Sequence, residues 1–307
     1  MNAPGAQVMS GRSWAILIAL SVLWGGSFFF IGVAVHSVRP LTLVLLRVTI
    51  AAAALWLLLG LRGQKLPLPP GALLAFVILA LLNNILPFGL FAWAQARIPS
   101  GLASILNATT PIWGVIVAHI FTRDERMTPG KIAGVLLGFG GVAVMMGVDV
   151  FGRLGAELLA QLACLVATLS YAFAGVYARR FRAMGIDPVA VSTGQLTASA
   201  ILVLPLVLLF EQPWLAAAPT SGAWASIVAL ALFSTALAYI LYFQLLATAG
   251  ATNSLLVTFL IPITAILLGS LVLGEALEPR HFAGMALIGA GLAAIDGRLL
   301  RKLRRLP

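Results

Sequence analysis

Apolar residues follow one another along this chain in long stretches, and short polar turns separate the stretches. Ten stretches of about 17 to 27 residues can be drawn, and at about 1.5 Å per residue each can cross a hydrocarbon core of about 30 Å. A helix satisfies its own backbone hydrogen bonds in lipid, whereas a β-barrel would show shorter segments of alternating polarity. We therefore predict an all-α polytopic membrane protein with ten transmembrane helices. The predicted spans cover residues 14–35, 41–61, 72–95, 101–122, 130–147, 156–178, 188–210, 221–247, 252–273 and 281–297.

The pattern of polar interruptions occurs twice in the sequence. The segment from Leu79 to Pro111 is echoed from Leu230 to Pro262, with the opening Leu-Ala-Leu and the closing proline in register. Five helices per copy is an odd number, so the second copy enters the membrane from the opposite side and the repeats are inverted. We predict a first five-helix repeat at residues 1–149 and a second at 150–307, with the function located where they meet.

Composition and the positions of the charges support this setting. Apolar side chains make up 61% of the 307 residues and charged ones 9%, and this apolar content exceeds that of soluble domains. A net charge of +10 would suggest nucleic acid in a soluble protein, but placing the N-terminus inside puts 14 Lys and Arg residues in the cytoplasm and four outside. The positive-inside rule therefore predicts two cytoplasmic termini and no nucleic-acid partner. We expect the basic tail from Arg298 to Arg305 to lie on anionic membrane lipids.

The acidic residues and histidines argue against catalysis and against proton coupling. All nine acidic residues and all three histidines lie in loops or near the ends of spans, whereas proton-driven carriers commonly use a buried carboxylate or histidine. Intramembrane proteases would need His-Glu-x-x-His or acids inside two spans, and neither pattern is present. Cys164 is the only cysteine, which excludes an intramolecular disulfide and a cysteine-built metal site. We predict facilitated movement with no catalytic residue, no metal and no cofactor.

Arg47 is the one charged residue inside a predicted span, seven residues after Pro40. One interpretation is that its guanidinium reaches the outer headgroups or binds backbone carbonyls. The alternative is that it faces an aqueous cavity and attracts a substrate carboxylate, because no acid inside a span can pair with it. The second repeat has neutral Gln195 at the same position, so this role would belong to one repeat alone.

Prolines and neighbouring polar residues mark the expected cavity. A proline inside a helix leaves the carbonyl four residues earlier without its donor and bends the helix. We predict hinges at Pro87, Pro111 and Pro262, which would free the carbonyls of Asn83, Asn107 and Thr258. Polar groups are unfavourable in lipid, so these residues, with Asn84 and Ser234, should point inward. There they either hydrogen-bond neighbouring helices or line a wet pocket.

Aromatic residues stand at equivalent places in the two repeats. Trp24 corresponds to Tyr171 and Phe88 to Tyr239, and Phe28 follows Trp24 by about one helical turn. An aromatic cavity with a few amides and hydroxyls suits a small amphipathic solute such as a neutral or aromatic amino acid, and it does not suit an ion. The predicted substrate-binding residues are Trp24, Phe28, Arg47, Asn83, Asn84, Phe88, Asn107, Tyr171, Ser234, Tyr239 and Thr258.

Short motifs are spread over nearly the whole chain. They are Trp24-Gly25, Pro40 with Arg47, Pro111, Glu125, Pro129, Gly134, Pro188, Pro262, Glu275, Pro279 and Gly284. Together these motifs resemble the EamA family of the drug/metabolite transporter superfamily. The resemblance implies export of small metabolites from a bacterial inner membrane through a cavity bounded by helices 1, 3, 4, 6, 8 and 9. Within the family, the chain is most similar to exporters of aromatic and neutral amino acids.

Several alternatives stay open at this point. A lipid or lipid-precursor flippase would need a lateral opening and charges that bind headgroups, and a nucleotide-sugar transporter would need several cations in its cavity. Drug-like or other metabolites are further candidate substrates, although the first span lacks the glutamate of the small multidrug transporters. The glycines of the fifth and tenth spans indicate packing helices or a dimer seam. The protein is therefore expected to be a monomer or a homodimer that exports by alternating access.

Overall fold

The computed structural model of the protein describes residues 10–122, 127–146, 155–254 and 257–296, and helices dominate this part of the chain. Glu125, the predicted repeat boundary at 149–150 and the basic tail from Arg298 to Arg305 lie outside the described residues. The α-helices are α1 Gly11–Ala34, α2 Pro40–Leu61, α3 Ala72–Ala80, α4 Leu86–Gln95, α5 Ser100–Asn107, α6 Thr110–Phe121, α7 Pro129–Met146, α8 Ala156–Ala183, α9 Pro188–Leu206, α10 Ser221–Ala231, α11 Ala238–Ser254, α12 Val257–Leu273 and α13 Pro279–Asp296.

Helices long and apolar enough to cross a membrane account for most of the described chain. There are seven of them within the described ranges, some made of two α-helices in line, and two further apolar helices are shorter. The prediction of an all-helical polytopic protein is thus confirmed. The seven are Gly11–Ala34, Pro40–Leu61, Ala72–Gln95, Ser100–Phe121, Ala156–Ala183, Pro188–Glu211 and Ser221–Ala249, and the shorter two are Pro129–Met145 and Leu260–Leu273.

One predicted boundary is wrong. The turn expected between residues 247 and 252 is helical, because α11 continues to Ser254. Alanine is the best helix former, and Ala247 and Ala249 favour continuation. The polar side chain between them does not interrupt the helix either, since Thr248 Oγ1 donates to the Gln244 carbonyl one turn earlier, at 2.8 Å.

In each sequence repeat, one π-helical segment interrupts the third span. We call Leu81–Ile85 the first π turn and Leu232–Leu237 the second π turn. Leu81 and Leu232 are separated by the same distance in sequence as the repeat partners Leu79 and Leu230, so the two π turns are equivalent. Such segments are rare and frequently occur at functional sites. The symmetry of the interruption therefore directs attention to the space between these two segments.

Side chains satisfy the backbone at both π turns. Ser170 Oγ donates to the Leu82 carbonyl at 2.7 Å, five residues before Pro87. The expectation that Pro87 would free the carbonyl of Asn83 is wrong by one residue, because a π turn bonds residues five apart. In the second π turn no proline is present, and Thr235 Oγ1 donates to the Leu230 carbonyl at 2.8 Å.

The two other predicted hinge prolines differ from each other. Pro111 follows a break in its span, where α5 ends at Asn107 and α6 begins at Thr110. The carbonyl of Asn107 accepts a 2.7 Å hydrogen bond from Thr110 Oγ1, which replaces the donor that proline lacks. Pro262 lies within α12, which continues through it as one helix. The sequence thus identified an interruption correctly at Pro111.

Glycine contacts join α7 to α13. A Cβ atom on Gly134 would lie 2.5 Å from the Gly291 carbonyl oxygen, and one on Gly141 would lie 2.6 Å from that of Gly284. The two helices therefore approach as closely as backbones allow, as small residues permit in membranes. The prediction that these spans serve packing is confirmed, and this glycine face is used within the chain.

Glu211 joins the end of α9 to the start of α2. Its carboxylate accepts hydrogen bonds from the backbone N–H groups of Leu41 and Thr42, at 2.9 and 2.6 Å, and from Thr42 Oγ1 at 2.6 Å. Arg39 Nη1 donates to the Glu211 carbonyl at 2.8 Å. A carboxylate at a helix N-terminus satisfies unpaired N–H groups and interacts favourably with the helix dipole.

Glu275 makes the corresponding contact with α5. It accepts from Ser100 N, Ser100 Oγ and Gly101 N at 2.8, 2.8 and 3.2 Å. Gly274 adopts a φ of +68° after α12, and the Glu275 N–H then donates to the Gly269 carbonyl at 3.0 Å. The chains of α2 and α5 run in the same direction, so both carboxylates close the same end of the bundle.

Candidate functional site

A cluster of polar side chains lies where the second and third spans of the two sequence repeats meet. We call it the junction cluster, and its members are Arg47, Asn83, Asn84, Gln195, Ser199, Thr235 and Tyr239. Four of the predicted site residues belong to it. The others were not placed in the predicted set, although Gln195 was recognised as the partner of Arg47 in the repeat.

Arg47 turns into the protein. Its side chain is only 7% exposed, and Nε donates a 2.9 Å hydrogen bond to Thr235 Oγ1 in the second π turn. The guanidinium carbon lies 3.5 Å from the centre of the Phe88 ring, a cation–π distance. The guanidinium therefore does not reach the headgroups, and its bond goes to a hydroxyl rather than a backbone carbonyl.

The positive charge of Arg47 has no acidic partner among the described residues. The side chains that interact with it electrostatically are the phenols of Tyr171 and Tyr239. Only Nε donates within the described part of the chain, which leaves the two Nη groups for other acceptors. A buried cation is unfavourable unless it is paired, and a guanidinium with free Nη groups matches a carboxylate.

The equivalent helix of the second repeat makes the reciprocal contact. Gln195 Oε1 accepts a 3.0 Å hydrogen bond from Asn83 Nδ2, and Ser199 Oγ accepts a 2.9 Å bond from Asn84 Nδ2. Hence α2 reaches the second π turn through Arg47, and α9 reaches the first π turn through Gln195. Equivalent helices of the two repeats thus hold each other through Arg47 and Gln195, whose partners on the π turns are offset by one position.

Tyr239 completes the amide contacts. Its hydroxyl accepts from Asn83 Nδ2 at 3.2 Å and donates to Asn84 Oδ1 at 3.0 Å. Asn84 is fully buried and uses both ends of its amide on the protein, so it holds helices together. Asn83 is half-buried, and its bonds use Nδ2, so its Oδ1 remains an acceptor that faces no described donor.

Ser234 stands beside the junction cluster with an unused hydroxyl. Its side chain is 1% exposed, and its Oγ has no hydrogen-bond partner among the described residues. Ser234 is the repeat equivalent of Asn83. A buried polar group without a partner is destabilising by about 1–3 kcal/mol, so this position indicates a place for a ligand or a water molecule.

Several aromatic rings contact one another between α1, α4, α8 and α11. Trp24 and Tyr242 have ring centres 5.4 Å apart, Phe28 and Phe91 are 5.5 Å apart, and Phe91 and Tyr171 are 6.3 Å apart. Tyr242 and Phe91 do not belong to the predicted binding set. Their signal was present, because the register that pairs Leu79 with Leu230 also pairs Phe91 with Tyr242.

Close packing at Gly25 explains the neighbour of Trp24. A Cβ atom on Gly25 would lie 2.8 Å from the Ile261 carbonyl oxygen and 2.6 Å from Thr264 Cβ. Glycine therefore lets α1 lie directly against α12 beside Pro262. This contact fixes the height at which the Trp24 ring enters the bundle.

Two predicted site residues lie away from these contacts. Asn107 is half-buried at the break between α5 and α6, and its side chain forms no hydrogen bond to the described residues. Thr258 is half-buried near the start of α12. The structure thus unites Arg47, Asn83, Asn84, Phe88 and Tyr239 by direct contacts.

Comparisons with known proteins agree with this architecture. The sequence profile of the EamA-like transporter family matches residues 11–147 and 158–295. A solved crystal structure that is 22% identical has a TM-score of 0.69 and covers 97% of this chain and 100% of that chain, which shows a shared fold.

Three relatives align over nearly the whole chain. The uncharacterized transporter YoaV of Bacillus subtilis (strain 168) is 26% identical over 276 residues, which cover 90% of this chain and 94% of YoaV. The uncharacterized inner membrane transporter YedA of Escherichia coli (strain K12) is 27% identical over 89% of this chain and 86% of YedA. A probable terminal-alkyne amino-acid exporter of Streptantibioticus cattleyicolor is 29% identical over 96% of this chain and 97% of that exporter. Since the family profile covers most of both halves, the chain belongs to the EamA-like transporter family of the drug/metabolite transporter superfamily and is a multi-pass membrane transporter.

Proposed function

We propose that the protein exports small amphipathic metabolites, in particular neutral and aromatic amino acids, across a bacterial inner membrane. The observation that carries this proposal is the buried Arg47 guanidinium, which has aromatic rings around it and no acidic partner among the described residues. A substrate carboxylate would complete the pairing of this charge through the two Nη groups. The relative described as a probable amino-acid exporter supports the same substrate class.

The remaining groups of an amino acid also find suitable partners near Arg47. Asn83 Oδ1 and Ser234 Oγ are acceptors without described donors, and they would accept from the substrate ammonium group. Aromatic contacts between α1, α4, α8 and α11 provide a wall for an apolar or aromatic side chain. The proposed substrate-binding set therefore gains Tyr242 and Phe91.

The proposed arrangement is ten helices in two inverted five-helix repeats, with both termini in the cytoplasm. The equivalent π turns and the reciprocal contacts of Arg47 and Gln195 support the repeats. The distribution of Lys and Arg supports the orientation. In this orientation Glu211 and Glu275 close the outer end of the bundle.

Transport would proceed by alternating access around the junction cluster. When the two repeats exchange conformations, the Glu211 and Glu275 contacts at the outer end would break, and equivalent contacts would close the inner end. Pro87, Pro111 and Pro262 are the proposed hinges. The described spans contain no carboxylate beside Arg47, which supports facilitated movement over proton coupling.

A second candidate substrate class is drug-like or other metabolites of similar size. The aromatic wall favours this class, because stacked rings accept many flat solutes without a specific hydrogen bond. Such solutes would not require Arg47. Substrates without a carboxylate therefore discriminate between the two classes.

Flux measurements in proteoliposomes test the proposed function. Vesicles are loaded with a panel of radiolabelled amino acids, drug-like cations and labelled phospholipids, with and without an imposed proton gradient. We expect saturable flux of neutral and aromatic amino acids that is independent of the gradient and is weakened by Trp24→Ala and Asn83→Ala. Movement of phospholipid in place of amino acids would replace the proposal with a flippase, and a requirement for the gradient would contradict facilitated transport.

A further inference from the structure

A groove outside the junction cluster opens on the flank of the bundle between α2, α3 and α9. Its volume is about 570 Å³, and its walls include the apolar side chains of Trp56, Leu73 and Phe76. A volume in this range is typical of sites that bind one small molecule, roughly 300–1,000 Å³. None of the residues that line it belongs to the junction cluster.

Two glycines line the groove. The Phe76 ring packs so closely on α9 that a Cβ atom on Gly194 would lie 2.5 Å from it. Gly60 lines the same groove near the end of α2, and no atom lies within 4 Å of the place where its Cβ would be. Open space therefore lies directly beside residue 60.

One basic residue, Lys65, stands at the rim of the groove. Lys65 is exposed and lines the groove just beyond the last residue of α2. The same end of the bundle holds the C-terminal part of α8, whose Phe181 stacks on Phe76 with ring centres 5.1 Å apart. That part of α8 carries Arg179, Arg180 and Arg182.

These features combine an apolar trough inside the membrane with a cation at its mouth. The three helices are long and apolar enough to span a bilayer, so the trough opens toward acyl chains. The excess of Lys and Arg assigns this end to the cytoplasm, where the leaflet is rich in anionic lipids. A lysine stem can lie along apolar surface while its ammonium group reaches a phosphate.

We propose that the groove binds one anionic phospholipid of the cytoplasmic leaflet, with an acyl chain beside Gly60 and Phe76 and its phosphate at Lys65. The contact of Phe76 with Gly194 forms the wall of the groove, and the next residue on α9 is Gln195, which binds Asn83. The bound lipid therefore supports the interface of α3 and α9 from behind, and it supports the site between the repeats. This inference does not depend on which metabolite is transported.

Native mass spectrometry of the purified full-length protein tests the proposal. The protein is incubated with phosphatidylglycerol or with phosphatidylcholine, and the fraction that retains one lipid is measured. We expect preferential retention of phosphatidylglycerol. Lys65→Gln should lower the retention of phosphatidylglycerol about fivefold, since one basic residue near a membrane surface contributes about that factor. The retention of phosphatidylcholine should not change.

A variant that fills the groove with a larger side chain tests the apolar trough separately. Gly60→Leu should lower retention of both lipids, whereas Gly140→Leu is a matched control, because Gly140 is an exposed helical glycine with equally open surroundings. Arg12→Gln removes an exposed basic residue elsewhere and should change nothing. Unchanged retention in Gly60→Leu, or equal retention of the two lipids by the wild type, would overturn the proposal. If Gly60→Leu does not fold, the comparison of Lys65→Gln with Arg12→Gln decides it.

Discussion

Arg47 Nε lies 2.9 Å from Thr235 Oγ1, and this hydrogen bond joins the second span of one repeat to the π turn of the other. In the opposite direction, the bond from Asn83 Nδ2 to Gln195 Oε1 joins the second span of the second repeat to the first π turn. One contact of the pair carries a positive charge and the other is neutral. The two contacts thus come from equivalent helices and differ in charge.

Substitutions of Asn84 and Ser234 should distinguish a structural role from a role in substrate binding. Asn84→Ala removes two buried hydrogen bonds, the one from Asn84 Nδ2 to Ser199 Oγ and the one from the Tyr239 hydroxyl to Asn84 Oδ1, and it should destabilise the protein by about 1–3 kcal/mol. Ser234→Ala removes a hydroxyl that has no described partner, so the unfolding temperature should stay equal or rise while substrate affinity falls. Thermal unfolding in detergent and flux measure these effects. Equal destabilisation by both variants would show that Ser234 is structural.

Much of the fold was predictable, because hydropathy and repeat register are local properties of the sequence. The presence of many long apolar helices, the close packing of glycines such as Gly134, and the interruption before Pro111 follow from them. The π turns were not predictable, since they depend on donors from elsewhere: the Leu82 carbonyl is satisfied by Ser170 of α8. A search for residues that can donate across helices would be needed to anticipate them.

The candidate site was only partly predictable for a related reason. A polar residue inside a span points inward whether it binds a helix or a substrate, and the sequence pattern is the same in both cases. Asn84 and its neighbour Asn83 look alike in sequence, yet Asn84 is fully buried and Asn83 is only half-buried. Both side chains have partners on α9 and α11, but Asn84 uses both ends of its amide and Asn83 uses only Nδ2, and no local pattern reports this difference.

Glu275→Gln should weaken closure at the end of the bundle where α5 begins. The carboxylate accepts three hydrogen bonds at a helix N-terminus, and an amide has one acceptor oxygen and no charge. In a Cys164→Ser background with a Ser104→Cys reporter, we expect faster alkylation by a membrane-impermeant reagent from the outer side.

Glu278→Gln is the matched control for this experiment. Glu278 lies on the same loop and pairs with Arg280 at the surface, at 2.8 Å. It contacts no residue of α5 among the described interactions, so the alkylation rate should not change. Equal rates in Glu275→Gln and in the parent protein would mean that the carboxylate does not hold the end closed.

Gly141→Ala should reduce stability through the contact of α7 with α13. The new methyl group would meet the Gly284 carbonyl oxygen, which is backbone and cannot move aside, so overpacking of about 1–3 kcal/mol is expected. Gly140→Ala on the same helix places its methyl group in open space and should leave the unfolding temperature unchanged. The apparent KM of transport should be the same in both variants. A lower unfolding temperature in Gly140→Ala alone would contradict the packing described.

Pro111→Ala should slow the conformational change of the transport cycle without weakening substrate binding. Alanine supplies the backbone N–H that proline lacks, so the Asn107 carbonyl can bond within the helix and α5 and α6 can join. A stiffer span would lower the maximal flux and leave substrate affinity unchanged. Pro262→Ala provides the comparison, because α12 already passes through Pro262 as one helix. If maximal flux is unchanged in both variants, neither proline is a hinge.

The central claim is that Arg47 binds a substrate carboxylate between the repeats. Its most direct test compares counterflow of an aromatic amino acid with that of the amine that lacks the carboxylate, in the wild type and in Arg47→Gln, the residue that the second repeat carries at this position. We expect the variant to raise the apparent KM for the amino acid about tenfold or more and to leave the KM for the amine nearly unchanged. An equal loss for both solutes, or no loss for either, would contradict the claim.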